Sequence, residues 1–135
     1  MNTGSVTVKN IESAFAGESM AHIKYRYFAK LCRAAGDEAT ARVFEETADQ
    51  EVLHAFGHLD LLYPADAMSP ARCLDMAIAG ETYEYTEMYP SFRHAAEAEG
   101  HAAAVRRSTS RSRNTSSDCA MPSRVSRTSR RKTWA

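Results

Sequence analysis

Polar and apolar positions alternate in steps of three and four through the first hundred residues, the period of helix stripes packed against neighbours. From about Val8 to Ala35 the stripe reads Ala14, Glu18, Ala21, Tyr25, Phe28 and Cys32, and Gly36 is placed to end the helix. A second helix is predicted from about Asp37 to Tyr63, with the stripe Phe44, Thr47, Glu51, His54, His58 and Leu61. Asp37 and Glu38 suit the positive end of its dipole. The intervening turn is so short that the two helices should form an antiparallel hairpin. Pro64 to Ser69 reads as a linker, and Ser69–Pro70 as an N-cap followed by proline in the first turn. The third helix should run to about Gly100, with Leu74, Ala77, Ile78, Glu81, Glu84 or Tyr85, Met88 and Phe92 inward. Pro90 should kink or restart it. Residues 101–105 open a fourth helix that the pattern does not sustain past Arg106.

These stripes are apolar except at a few positions. Glu18, Glu51, Glu81 and Glu84 bring carboxylates to faces that a bundle buries, and His54 stands three residues beyond Glu51 on the same face. Burying an unpaired carboxylate costs several kcal/mol, so a compensating group is needed. A metal ion is the simplest; a buried polar network without metal is the alternative. Gly17 and Gly80 each precede one of these acids, where a ligand or a second backbone could approach closely.

Composition adds a sharp internal boundary. The 135 residues are 44% apolar and 25% charged, ordinary values for a globular chain. Net charge is zero, but residues 1–105 carry 8 Lys and Arg against 16 Asp and Glu, and residues 106–135 carry 9 against 1. The second stretch holds 8 Ser, 4 Thr and 8 Arg and has no apolar period. It reads as a disordered or weakly helical tail that cannot offset its ordering entropy. Its arginines could contact phosphates, but it lacks any recognisable nucleic-acid fold. No apolar run approaches the roughly 18 residues of a membrane span, and the N-terminus has no signal-like core, which points to the cytoplasm. Cys32, Cys73 and Cys119 form no Cys-x-x-Cys, so no disulfide framework or zinc ribbon is expected, and Cys32 and Cys73 should pack as small apolar residues.

Three motifs, residues 16–19 (Ala-Gly-Glu-Ser), 48–54 (Ala-Asp-Gln-Glu-Val-Leu-His) and 79–84 (Ala-Gly-Glu-Thr-Tyr-Glu), followed by Met88-Tyr-Pro90, resemble the ferritin-like domain of the rubrerythrins. The resemblance covers about residues 8–105. It implies an all-α, ferritin-like antiparallel bundle with a non-haem centre of two iron ions that reduces hydrogen peroxide to water. It further implies an NAD(P)H-linked electron supply through an external donor such as rubredoxin or a flavin reductase, and a homodimer. Carried over by motif, Glu18 is a terminal ligand of the first iron, Glu51 bridges, Glu84 binds the second iron, and Glu81 and His54 exchange at the first. Tyr25 and Tyr89 match catalytic-site tyrosines that hydrogen-bond the carboxylates. The donor set alone leaves iron and manganese open.

The departures are as informative. In the family the fourth helix supplies a second Glu-x-x-His, yet no Glu or His follows Val105 here. The four cysteines of the family's rubredoxin domain are absent too, so electrons would come from a separate chain. The sequence therefore predicts a ferritin-like domain over 1–105 with three long helices, and a basic tail over 106–135. The abrupt change resembles GC-rich coding DNA read out of frame. Sequencing the gene tests that hypothesis, which is lost if no single-base change restores a Glu-x-x-His helix. A bundle that binds iron without turnover is the competing reading.

Overall fold

The computed structural model describes residues 4–118, which are almost entirely helical. They fall into two compact units, divided between Met68 and Ser69.

The first unit is a hairpin of α1 (Val6–Ala34) and α2 (Glu38–Leu62). Ser5 caps α1 by accepting from the Val8 amide at 3.1 Å, and Asp37 caps α2 by accepting from Thr40 at 2.9 Å. That bond holds the Asp37 carboxyl below its ordinary pKa. Gly36 makes the turn. Its φ of 84° is open to glycine, and the amides of Gly36 and Asp37 close back onto the carbonyls of Arg33 and Cys32 at 3.1 and 2.9 Å. The expected hairpin is therefore formed, with boundaries one or two residues from those predicted.

The seam between the helices lies beside the predicted stripe on α2 rather than on it. The buried residues are Ala41, Ala48 and Ala55, seven apart, facing an α1 row of Val8, Phe15, His22 and Ala29 with the same spacing. Repetition at seven is a coiled-coil seam, and alanines let the backbones approach closely. The shift leaves Glu51 and His58 half-buried at the seam's edge and His54 exposed. His22 enters the seam as a polar residue. Its Nδ1–H donates to the Ala48 carbonyl at 2.8 Å, which fixes the tautomer because a carbonyl only accepts. Tyr25, Phe28 and Phe44 form an aromatic cluster nearer the turn, with centroids 5.5 to 6.4 Å apart. Arg33 ties the hairpin end by pairing with Glu38 and Glu45 at 2.9 and 3.0 Å, and Arg26 pairs with Asp49.

The second unit begins with a 14-residue helix, α3 (Pro70–Tyr83), capped by Ser69. Glu84–Met88 then form a turn of π-helix, and α4 (Tyr89–Ala98) follows with Pro90 in its first turn. Proline has no N–H to give the preceding turn, so the ladder widens just before it. The single helix expected over 70–100 is thus divided at the site where Pro90 was expected to act. Gly100, with φ 73°, ends α4 as Gly36 ends α1. The last helix, α5 (Ala102–Asp118), packs on α4, burying Ala96 and Ser108.

The helix α5 continues past Arg106, into the stretch read as disordered or weakly helical. The hydroxyls of Ser108 and Thr109 donate to the carbonyls of Ala104 and Val105 at 3.1 and 2.9 Å. Serine and threonine so bonded find partners for their hydroxyls within the helix. The rest of the predicted tail, residues 119–135 with Cys119, lies outside the described residues. Cys32 is half-buried as expected, but Cys73 is exposed on α3. No helix among the described residues is long and apolar enough to cross a membrane.

Candidate metal centre

An antiparallel hairpin turning at Gly36 sets positions equally far from the turn opposite one another. Glu18 lies 18 residues before Gly36 and His54 lies 18 after it. Helix periodicity adds Glu51, one turn before His54, and His58, one turn beyond it. The structure brings Glu18, Glu51 and His54 together, and each offers one ligand atom within 4.8 Å of the others'. His54 Nδ1 lies 3.6 Å from Glu51 Oε2, and His58 Nε2 lies 3.3 Å from Glu18 Oε1.

The Glu18 carboxylate is half satisfied. Oε1 has His58, while Oε2 is buried without a hydrogen-bond partner among the described residues. An unmet buried acceptor costs about 1–3 kcal/mol, more when charged. A cation bound among these three residues would satisfy that oxygen. Two carboxylates and an imidazole, without thiolate, suit iron or manganese, so the residues present fit such an ion.

Glu81 and Glu84 belong to the second unit. Glu81 is on the last turn of α3 and Glu84 opens the π turn, and both are half-buried. Single π turns inside helices are frequent at functional sites, and the sequence pattern gave no sign of this one beyond Pro90. Tyr25 lies in the aromatic cluster, where its ring meets Phe28 and Phe44. Tyr89 starts α4, with its ring edge-on to Phe92 at 6.3 Å. A Cβ added at Gly17 or Gly80 would meet nothing within 4 Å, so neither glycine is required by a close protein neighbour. His58 lies on the predicted α2 stripe, one turn beyond His54, where packing or support of a ligand is a more ordinary role than ligation. Its place on the stripe was visible, but its pairing with Glu18 follows only from the register of the hairpin.

Residues 9–66, which span both helices of this hairpin, match the family model for rubrerythrin. The chain carries a rubrerythrin-type domain. The rubrerythrin of Nitratidesulfovibrio vulgaris is 42% identical over 109 residues, covering 73% of this chain and 57% of that protein. The rubrerythrin of Porphyromonas gingivalis is 42% identical over 108 residues, covering 72% and 54%. The nigerythrin of N. vulgaris is 38% identical over 111 residues, covering 73% and 55%. The chain thus spans a little over half the length of these curated relatives. The helical structure and the Glu18–Glu51–His54 group agree with the ferritin-like, iron-binding domain of that family.

Proposed function

We propose that this rubrerythrin-type domain binds iron and reduces hydrogen peroxide to water, with electrons from an external donor such as rubredoxin or an NAD(P)H-linked flavin reductase. The observation that carries the reading is the convergence of one ligand atom each from Glu18, Glu51 and His54, with a Glu18 oxygen that is buried and has no hydrogen-bond partner among the described residues. Iron, when bound, supplies the electrons: peroxide takes two electrons and two protons to become two waters. The protein's part is to hold negative carboxylates around the cation, to orient Glu18 through His58, and to present the exposed His54 ring at the solvent side.

By the sequence resemblance, Glu81 and Glu84 are further ligands, Glu84 at the second iron, and Tyr25 and Tyr89 hydrogen-bond ligand carboxylates. A homodimer in the cytoplasm belongs to the same reading, as does a domain extending over about residues 1–105. Stopped-flow mixing of the reconstituted diferrous protein with one equivalent of peroxide tests it. Oxidation of the iron on mixing, with peroxide consumed, is expected. Iron that stays ferrous, or oxidises no faster than free ferrous ion, contradicts peroxide reduction.

A second reading is favoured by one fact: no Glu or His follows Val105, so the usual fourth-helix ligands are missing. Under it the chain binds iron without turnover. The same experiment separates the two, since it predicts bound iron with no accelerated oxidation.

A further inference from the structure

His58 is a histidine that the motif resemblance does not assign, and it is the residue in direct contact with Glu18. A carboxylate accepts and does not donate, so in this pair Nε2 carries the proton and points it at Oε1. The other oxygen, Oε2, is buried and has no hydrogen-bond partner among the described residues. All four side chains, Glu18, Glu51, His54 and His58, come from α1 and α2. His58 is seven residues from Glu51 and four from His54, so one face of α2 carries two donors for an ion together with the group that fixes the third.

We propose that the α1–α2 hairpin holds a metal ion by itself, through Glu18, Glu51 and His54, and that His58 is a positioning residue that aims Glu18 Oε2 at the ion by donating to Oε1. This rests on the iron-binding reading above and goes beyond it: occupancy of this position needs neither Glu81 nor Glu84 nor any residue after Val105. The absence of Glu and His after Val105 then leaves the hairpin position occupied, whatever happens at a second one. Ligating carboxylates elsewhere are held by hydrogen bonds in the same way, and removal of such a partner typically weakens metal binding roughly 10- to 100-fold.

The test uses the full chain and cobalt(II) as a spectroscopic probe, titrated anaerobically, with bound metal counted after desalting. The wild type is expected to bind one cobalt per chain tightly, with visible ligand-field bands. Glu81→Gln with Glu84→Gln should retain that ion and its spectrum. His58→Leu should weaken it roughly 10- to 100-fold and shift the bands. His58→Gln, whose amide N–H can still reach Oε1, should restore most of the affinity. Circular dichroism of the metal-free variants separates loss of the hairpin from loss of the hydrogen bond, and the Gln variant decides if the Leu variant does not fold. Unchanged affinity in both His58 variants overturns the positioning role. Loss of the ion on removing Glu81 and Glu84 overturns the hairpin site. A wild type that binds no cobalt overturns the iron-binding reading on which both rest.

Discussion

Glu18 carries a conflict that stability alone would not preserve. One oxygen is paired with His58 and the other is buried without a partner among the described residues. Replacing both members of a hydrogen-bonded pair by apolar groups of similar shape is close to neutral or stabilising, because neither is left without a partner. Metal-free Glu18→Leu with His58→Leu should therefore melt no lower than the wild type, while its iron binding is lost. A melting temperature well below that of the wild type would place Glu18 among ordinary structural residues. The sequence made this residue legible as an acid on an inward stripe. It did not disclose which of its oxygens is satisfied, because that depends on a histidine 40 positions away whose register is set by the hairpin. His22 is similar: its spacing marks a half-covered helix position, and only the partner helix supplies the Ala48 carbonyl that holds it.

At the scale of elements, helix ends were the most legible features, because Asp37, Gly36, Ser69 and Gly100 act through local hydrogen bonds, whereas the Ser5 cap of α1 was not read. The seam was less legible. Ala41, Ala48 and Ala55 carry little hydrophobic signal, so the larger Phe44 and Leu61 drew the predicted stripe to one side. Because Ala48 is fully buried against α1, Ala48→Leu should force the helices apart and cost about 1–3 kcal/mol in chemical denaturation. No loss of stability would show that the seam is loosely packed. The end of the hairpin makes a pH prediction. The hydrogen bonds of Arg33 hold the Glu38 and Glu45 carboxyls below their ordinary pKa of 4.5. Carboxyls depressed in the folded state contribute stability that is present above the ordinary glutamate pKa and lost as pH falls through the lower folded values. Melting temperature should thus decline on acidification below about pH 4.5, and Arg33→Met should flatten that decline. An unchanged slope would mean that these exposed pairs contribute nothing. The π turn was legible only as the break expected at Pro90, and the helix past Arg106 only as the weakly helical alternative, since apolar periodicity does not encode the backbone hydrogen bonding on which each rests.

For the molecule as a whole, the shortage of large buried side chains matters most. The buried apolar residues among those described are Val8 and five alanines, whereas Ile23, Leu53 and Phe56 are 65, 70 and 59% exposed. On the hairpin a groove of about 260 Å³ is lined by Phe15, Ile23, Val52, Phe56 and Leu59. Apolar surface of this kind favours association, and sedimentation equilibrium should find a dimer or larger species at micromolar concentration. A monomer at those concentrations would contradict the expectation. A narrower expectation concerns the hairpin, where a cation belongs among Glu18, Glu51 and His54. Its most direct test is iron per chain after anaerobic reconstitution and desalting, for the wild type and for Glu51→Gln. The wild type should retain at least one iron, and the variant should lose it while keeping its helicity. A wild type without iron, or a variant that holds as much as the wild type, would contradict the claim.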